Sequence, residues 1–480
     1  MPLRGRGPGL TSPEPPRETC YVRGMQAAEP AAPRTGFPPG PPIRRGIVRN
    51  VRYAAGFFRD PIRFVKGRFD AYGDVYYAPT PGGGLFVVRH PDHVREVLST
   101  RAAAYGKQHT AMTQLSRILG EGLLTSEGDA WKRQRRMLQP AFAPARMTEY
   151  ARTMVEETEV TAEAWARATE PISLEREMTS LTLRVVGRAL LGHDVASADI
   201  RTIAEAMDAF QRWLGGTELL PGWLAPGERR FTRALAALDA LVYRVIQDRR
   251  AASGAARTDL LQVLVDAVDP EGDGARLSQR EVRDQLVTLF LAGHETTSQA
   301  LTWTFYCLAR SPDVERTLHA ELDAVLGGRA PTFADLDRLP YTEQVLAEAM
   351  RLYPPVYAIA RRAYEDTEVG GWKVPRGSEV MVWVYLTHHD GRFFPEPESF
   401  RPERFERERA AAIPKFAYLP FGAGPRACIG KTFALVEARL LLATLASRFR
   451  LRPVSPARVR PRPRITLTPD RSIAMHVQRR

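Results

Sequence analysis

A glycine-rich loop around one cysteine places the strongest constraint on how this chain can fold. Residues 421–430 read Phe-Gly-Ala-Gly-Pro-Arg-Ala-Cys-Ile-Gly, and an amphipathic helix is predicted to begin directly after Cys428. A thiolate at the N-terminus of a helix is stabilised by unpaired backbone N–H groups and by the helix dipole. The glycines allow the backbone to approach a flat ligand, and Arg426 could pair with an anionic edge of that ligand. The loop therefore indicates a thiolate that binds a ligand.

For an isolated cysteine the ordinary interpretation is a buried structural thiol, and we assign it to Cys20 and Cys307. The three cysteines of the chain are widely spaced and odd in number, so neither a disulfide framework nor a zinc pattern can be built from them. A reducing compartment, and hence a cytoplasmic location, is expected.

The positive charge of the chain is concentrated at its two ends. The formal net charge is +13, with seven Arg against three Glu in residues 1–46 and eight Arg against one Asp in residues 451–480. No basic stripe with interleaved aromatic residues occurs between them, which argues against nucleic-acid binding. Residues 1–46 contain eleven Pro and are predicted to be a disordered arm. No stretch approaches the ~20 apolar residues that span a bilayer, so no integral membrane anchor is predicted.

Hydrophobic periodicity predicts a mainly α-helical chain with a minor β component, an α+β fold. The predicted elements are helix over 47–72, a hairpin of 74–78 and 85–89, mostly helix over 91–365, short strands between 369 and 384, helix over 431–448, and strands at 465–468 and 473–477. We predict one catalytic domain over residues 47–480.

The cysteine loop contains the pattern Phe-x-x-Gly-x-Arg-x-Cys-x-Gly, which resembles the haem-binding loop of the cytochrome P-450 family. The resemblance extends over roughly residues 45–480 and implies the family's triangular helical prism with small N- and C-terminal sheets. It also implies that Cys428 is the axial ligand of the iron of haem b. Further contacts to the cofactor would come from Phe421, Gly422, Arg426 and Gly430.

Two further motifs resemble the structural core of the same family. Glu348 and Arg351 are three residues apart on a predicted helix, where their side chains share a face and can pair. The segment Phe-Arg-Pro-Glu-Arg-Phe follows at residues 400–405. The resemblance implies that Glu348, Arg351 and Arg404 form one network that supports folding and cofactor retention.

A predicted helix around residues 286–310 is interrupted by Ala-Gly-His-Glu-Thr-Thr at residues 292–297. A mid-helix Thr often bonds to the carbonyl four residues earlier, so a structural kink is the simple interpretation. The segment resembles the oxygen-activating helix of the family, which implies proton delivery by Glu295 and Thr296, with Thr297 as the weaker alternative to Thr296. Ala292 would contact the cofactor, Gly293 would leave room for oxygen, and His294 would face away.

Trp131 and Arg135 match the family's Trp-x-x-x-Arg, whose members bond the haem propionates. The resemblance implies the same role for Arg361, and Lys107 is a weaker candidate. Basic residues near the thiolate side, namely Arg133, Arg136, Arg426 and Lys431, would suit an acidic partner protein.

The function implied is a monooxygenase that hydroxylates or epoxidises a lipophilic molecule. It would use O2 and two electrons from a separate donor, a ferredoxin or flavodoxin with its reductase. We expect a bacterial-type monomer. Two alternatives are a haem-thiolate peroxygenase or isomerase, and a non-catalytic haem sensor.

The substrate is left open between a fatty acid, a terpenoid and another natural product. Residues 120–126 resemble bacterial fatty-acid hydroxylases, but the hairpin turn at 80–84 lacks the Arg that often anchors a carboxylate there. The segments that line the substrate pocket in the family supply apolar side chains here: Met112, Leu115, Ile118, Leu119, Phe210, Leu214, Leu219, Leu220, Phe290, Ala292, Val356 and Ile359.

Overall fold

The computed structural model describes residues 36–41, 56–79, 84–192, 197–217, 227–251, 259–269 and 274–480. Helices make up most of these residues, as the hydrophobic periodicity predicts. The α-helices are α1 (Pro61–Tyr72), α2 (Pro91–Arg95), α3 (Thr110–Leu119), α4 (Gly128–Leu138), α5 (Pro144–Ala166), α6 (Leu174–Leu191), α7 (Ser197–Thr217), α8 (Glu228–Ala251), α9 (Leu260–Asp266), α10 (Gln279–Ala309), α11 (Pro312–Leu326), α12 (Pro340–Leu352), α13 (Val384–His388), α14 (Arg407–Ala412) and α15 (Lys431–Ala446).

The strands are short and join distant parts of the chain. They are β1 (Val75–Ala78), β2 (Leu85–Val88), β3 (Tyr105–Gly106), β4 (Ile172–Ser173), β5 (Ile359–Ala363), β6 (Thr367–Val369), β7 (Trp372–Val374), β8 (Glu379–Val382), β9 (Phe449–Pro453), β10 (Pro461–Pro463), β11 (Leu467–Pro469) and β12 (Ala474–Arg479). The largest sheet among the described residues has the order β1-β2-β8-β5-β3. Within it β2 runs parallel to β8, with Phe86 opposite Val380.

Helix α10 is the central element of the fold. Its first turn is fixed by a capping box in which the Ser278 hydroxyl accepts from the Glu281 N–H at 3.2 Å and the Glu281 carboxylate accepts from the Ser278 N–H at 2.8 Å. The helix is buried on nearly all sides and packs against α6, α12 and α15. A helix that is buried all round belongs at the centre of a large domain, so residues in its middle can reach an interior site.

Two large apolar clusters meet at α10. One is built mainly from α5, α6, α11, α12 and α15. The other is built mainly from α3 and α6 to α9. Residues of both clusters, such as Leu190 and Ala300, face one interior cavity.

The prediction of a mainly helical fold with small sheets is confirmed, with one local error. The chain was expected to stay helical to about residue 365, but α12 ends at Leu352 and residues 359–363 form β5. The reason is Pro354 and Pro355, which cannot continue a helix and push the preceding residue towards an extended conformation. Of the helix predicted over 47–72, residues 61–72 form α1, whereas residues 47–55 lie outside the described ranges.

Part of the predicted disordered arm is packed on the first hairpin. The ring of Phe37 stacks on Tyr77 with centroids 4.4 Å apart, and the Tyr77 N–H donates to Pro39 O at 3.1 Å. Residues 1–35 and 42–46 of the arm lie outside the described ranges. Among the helices that the structure describes, none has the length and apolar character needed to cross a membrane.

Candidate active site

A cavity of about 1810 Å3 lies between α10 and the cysteine loop. One wall contains Ala292, Glu295 and Thr296 of α10, and the facing wall contains Phe421, Gly422 and residues 426–430. Residues 355–361 and the β10–β11 hairpin close its sides. A cavity of this size can enclose a large flat ligand together with a second, smaller molecule.

Cys428 is exposed and lines this cavity. The Cys428 N–H donates to Phe421 O at 2.9 Å, which closes the loop directly before α15. Burial raises the pKa of the thiol, while a hydrogen bond from the Gly430 N–H and the charges of Arg135, Lys107 and Lys431 act in the opposite direction. These donors and cations are the groups that stabilise a thiolate once a metal or another electrophile is bound.

Gly424 lets the cysteine loop lie directly on the segment that follows α2. Its φ is +69°, and a Cβ at this position would lie 1.7 Å from Leu98 O. Gly422 also has a positive φ, +68°, and is close to Ile359 of β5. A side chain cannot be accommodated at Gly424, so glycine is needed for the loop to lie in direct contact with the backbone at Leu98.

Four cations surround one edge of the cavity, and one carboxylate lies among them. Lys107, Arg135, Arg361 and Arg426 cluster around Glu127, which accepts from the Lys107 N–H at 2.8 Å and pairs with Arg426 at 2.8 Å. Burial and the neighbouring cations lower the pKa of Lys107 to about 7, and burial and Arg426 lower that of Arg361 to about 10. Arg361 is 8% exposed, and its Nη1 donates to Ala360 O.

Such a surplus of buried positive charge is costly unless an anion enters the cavity. The chemistry of this edge therefore fits an anionic ligand.

Trp131 joins this cation cluster to the cysteine loop. The Arg426 guanidinium lies 3.9 Å from the centroid of the Trp131 ring, and that of Arg135 lies 5.9 Å from it. Arg135 also donates to Ala427 O at 3.0 Å, directly before the cysteine. The two residues of the Trp-x-x-x-Arg pattern thus touch the loop and the cavity together.

His109 is a cavity residue that the sequence reasoning missed. It lies at the start of α3, and burial together with Arg361 and Lys107 lowers its pKa to about 4. No motif marks it in the sequence. Its position two residues after Lys107, on the same short connection, is the signal that could have found it.

Thr296 presents its hydroxyl to the cavity wall and donates to Ala292 O at 2.8 Å, so the backbone bond expected of a mid-helix Thr is present. Thr297 is buried and donates to Gly293 O at 3.0 Å. His294 is 1% exposed, and its Nδ1 lies 2.7 Å from Phe290 O.

Gly293 serves helix packing, because a Cβ there would lie 3.2 Å from the Val186 side chain of α6. Gly293 also lines the cavity, so its expected role, room for oxygen, stays a prediction.

The carboxylate of Glu295 is held by two side chains that carry no sequence motif. It accepts from Gln211 Nε2 at 2.5 Å and from Thr466 Oγ1 at 2.8 Å. Gln211 belongs to α7 and Thr466 to the β10–β11 turn, so three distant segments meet at this carboxylate. Sequence reasoning missed both donors because the contacts depend on tertiary structure.

Glu348, Arg351 and Arg404 form the network that their motifs predict. Arg351 makes two bonds to Glu348, at 2.7 and 2.8 Å, with both side chains fully buried, and Arg404 Nε lies 3.2 Å from the same carboxylate. Arg351 also donates to backbone carbonyls of residues 388, 397 and 399. His388 in turn accepts from the Leu419 N–H at 3.0 Å, so the network supports the segment that leads into the cysteine loop.

The predicted substrate residues fall into three groups. Those that line the cavity are Met112, Leu115, Ala292, Val356 and Ile359. Ile118, Leu119, Phe210 and Phe290 are fully buried in the apolar cluster of α3 and α6 to α9 and do not line it, because they face neighbouring helices; Phe210, for example, packs on Phe231. The side chains of Leu214, Leu219 and Leu220 lie outside the described residues.

The proposed basic surface is largely neutralised. Arg133 pairs with Glu281 at 2.7 Å, Arg136 lies 3.2 Å from Asp269, and Arg426 belongs to the cavity. Lys431, at the start of α15, is exposed.

The cavity combines one thiol on one wall, an acid and a hydroxyl on a long helix opposite, and surplus cations at one edge, which is the set of groups that the sequence motifs indicate. The family model described as Cytochrome P450 matches residues 38–475 of this chain. The chain therefore belongs to the cytochrome P450 family.

Individual relatives support the same assignment. The chain is 41% identical to cyclooctatin synthase of Streptomyces melanosporofaciens, over 85% of this chain and 90% of that protein. It is 37% identical to cyclooctat-9-en-7-ol 5-monooxygenase of the same organism, over 85% and 89%, and 32% identical to pentalenene oxygenase of Streptomyces avermitilis, over 87% and 92%.

A solved structure of the cytochrome P450DA haem domain matches with a TM-score of 0.80 and 28% identity, over 92% of this chain and 98% of that one.

The expected fold and activity are thereby confirmed. The chain is a haem-thiolate monooxygenase that acts on a lipophilic molecule with O2 and electrons from a redox partner.

Proposed function

We propose that Cys428 is the axial thiolate ligand of haem b, and that the haem propionates are bound at the cation cluster. The observation that carries this proposal is the presence of a thiol and of surplus buried cations in one cavity. Two propionates would offset two of the three surplus positive charges, whereas a neutral ligand would leave Lys107 and Arg361 uncompensated. The residues proposed to bind the cofactor are Lys107, Trp131, Arg135, Ala292, Arg361, Phe421, Gly422, Arg426 and Gly430.

The bound haem would supply the activation of dioxygen, because thiolate donation favours O–O cleavage. The residues of the chain control protons and water. We infer that the Thr296 hydroxyl, at the cavity wall, holds the group that receives a proton, and that the adjacent Glu295 carboxylate belongs to the delivery route. The Gly430 N–H, by bonding to the sulfur, would moderate the electron donation of the thiolate.

The substrate that we propose is a cyclic terpenoid rather than a fatty acid. The names of two similar proteins specify a cyclooctat-9-en-7-ol 5-monooxygenase and a pentalenene oxygenase, and neither names a fatty acid. Met112, Leu115, Val356 and Ile359 supply an apolar cavity wall that suits a hydrocarbon skeleton.

The electron donor that we propose is a ferredoxin or flavodoxin with its own reductase. The exposed Lys431 next to the cysteine loop would contribute to its docking. A monomer, a cytoplasmic location and one catalytic domain are part of the same proposal. The free thiols of Cys307 and Cys428 support the location, and the family match through residues 38–475 supports the single domain.

The haem assignment is tested by the absorption spectrum of the reduced protein with carbon monoxide. We expect the red-shifted Soret band of a thiolate complex in the wild type and in Cys307→Ala, whose thiol is buried in the core, and its loss in Cys428→Ala. An unchanged spectrum in Cys428→Ala would refute the ligand assignment.

Proton delivery is tested by the ratio of product formed to reductant consumed. Thr296→Ala should lower this ratio several-fold, and Thr297→Ala, which removes a buried hydroxyl, should not. A sensor would form no product, and a peroxygenase would form product with hydrogen peroxide but not with O2 and reductant. Equal coupling in both variants would contradict the role of Thr296.

The substrate class is tested by titrating the ferric protein with cyclooctat-9-en-7-ol and with dodecanoic acid while the iron spin state is followed. A change with the alcohol alone is expected. A change with dodecanoic acid alone would contradict the terpenoid proposal.

A further inference from the structure

A small polar cluster lies in the wall of the cavity that contains α10. It consists of Gln211, Glu295 and Thr466, joined by the bonds of 2.5 and 2.8 Å to the two carboxylate oxygens. Glu295 is 6% exposed and Thr466 is 4% exposed, whereas Gln211 is half-buried. The cluster is therefore built into the fold and can be reached from the cavity through Gln211.

The chemistry of the cluster fixes which of its atoms remain available. A carboxylate can only accept hydrogen bonds, so the amide of Gln211 must turn its nitrogen towards Glu295 and its oxygen away. Thr466 uses its single proton on Glu295. Among the described residues, no donor is bonded to Gln211 Oε1. Apart from the second N–H of Gln211, the cluster thus offers acceptors to a ligand.

Neighbouring charged groups do not supply a donor to Gln211 Oε1 within the described residues. Arg462 and Arg464, which precede Thr466 in the hairpin and also line the cavity, are not bonded to Gln211. His294 Nε2 lies 4.0 Å from the Glu295 carboxylate, but its Nδ1 lies 2.7 Å from Phe290 O and so carries the proton of the neutral ring. Arg212, the residue after Gln211, is paired with Asp208 at 2.6 Å. A ligand group that itself donates a hydrogen bond is the one that fits.

We propose that this cluster binds a hydroxyl group that the substrate already carries before it is oxidised. The inference rests on the proposed function and specifies its substrate class as terpenoid alcohols. A hydroxyl can donate to Gln211 Oε1 and remain uncharged. A carboxylate at this position could not donate to Gln211 Oε1, and a hydrocarbon would cover the acceptor without satisfying it.

The inference also places the enzyme in a reaction sequence. The hydroxyl that it recognises must be introduced earlier, either by an oxygenase or by a cyclisation that ends with addition of water. The product of this enzyme would then carry at least two oxygen functions.

The experiment uses the ferric holoenzyme and two ligands of one skeleton, cyclooctat-9-en-7-ol and the hydrocarbon without its 7-hydroxyl. Dissociation constants are read from the change in iron spin state, so no turnover is needed. The wild type should bind the alcohol roughly tenfold more tightly, which is the usual contribution of one hydrogen bond. Gln211→Leu should remove this preference while the hydrocarbon still binds.

Thr466 supplies a matched pair of variants. Thr466→Val removes the donor that orients Glu295 and should reduce the preference, while Thr466→Ser keeps the hydroxyl and should retain it. The carbon monoxide spectrum of each variant checks that the haem site has folded.

Equal affinity for both ligands in the wild type, or an unchanged preference in Gln211→Leu, would overturn the inference and leave the terpenoid proposal intact. Failure to bind either ligand would overturn the terpenoid proposal and this inference with it.

Discussion

Glu437 provides a test of how burial controls ionisation in this fold. It lies on α15, nine residues after the cysteine, with a relative exposure of 0%. Neither carboxylate oxygen has a hydrogen-bond partner within the described residues. The nearby Thr297 hydroxyl, which donates to Gly293 O, lowers the pKa of Glu437 by less than burial raises it. Burial therefore raises the pKa of Glu437 from 4.5 to about 8.

The sign of the effect on stability follows from proton binding. Between pH 4.5 and pH 8 the folded protein keeps this carboxyl protonated, whereas the unfolded chain releases the proton. The stability of the protein must therefore fall as the pH rises through this window. A tenfold change in proton affinity corresponds to about 1.4 kcal/mol, so Glu437 should cost about 3 kcal/mol of unfolding free energy between pH 5.5 and pH 8.

The perturbation that isolates this effect is Glu437→Gln, which keeps the shape of the side chain and cannot ionise. Urea unfolding of the holoenzyme, followed by far-ultraviolet circular dichroism at pH 5.5 and pH 8, gives the two free energies. The free energy of unfolding of the variant minus that of the wild type should be larger at pH 8 than at pH 5.5. The increase should be up to about 3 kcal/mol. Glu408→Gln, at an exposed position, is the matched control. Parallel pH dependence in wild type and Glu437→Gln would refute the reasoning.

Three further changes probe other parts of the site. Arg351→Leu should lower the free energy of unfolding by about 3–5 kcal/mol in urea, because it leaves Glu348 buried and unpaired; a loss below about 1 kcal/mol would contradict this. Gly424→Ala should reduce the haem bound per protein, read from Soret absorbance, because its Cβ would meet Leu98 O, whereas Gly391→Ala, with open space around it, should not. Lys107→Met should stabilise the cofactor-free protein in thermal unfolding at pH 7 more than at pH 9. The lowered pKa of Lys107 makes the wild type gain stability as the pH rises from about 7. An equal stabilisation by Lys107→Met at pH 7 and at pH 9 would contradict this prediction.

Much of the fold and the outline of the site could be predicted from sequence because the relevant signals are local. The cysteine loop, the Glu348–Arg351 spacing and the helix around Thr296 are short motifs with a strict order. Their geometry in the structure agrees with the network and the two facing cavity walls that they indicate. The family then fixed the topology that periodicity alone leaves open.

What could not be predicted depends on contacts between distant segments. Gln211 and Thr466 are ordinary polar residues in sequence, and only tertiary structure joins them to Glu295. Ile118 and Phe290 were predicted to contact the substrate because their helices line the pocket. Both helices are apolar on several faces, so the sequence does not show which face meets the cavity and which meets a neighbouring helix. Arg133 and Arg136 were assigned to a docking surface, and acidic partners far along the chain pair with both.

The cation cluster has a consequence for how the protein is maintained in a cell. Lys107, Arg361 and their neighbours raise the energy of the folded chain most when nothing negative occupies the cavity. A ligand that binds only the folded state removes this penalty and stabilises that state in proportion to its affinity. Chains that have not acquired their prosthetic group should therefore open more often and be degraded first. The same charges that hold the cofactor would thus let proteolysis separate finished enzyme molecules from unfinished ones.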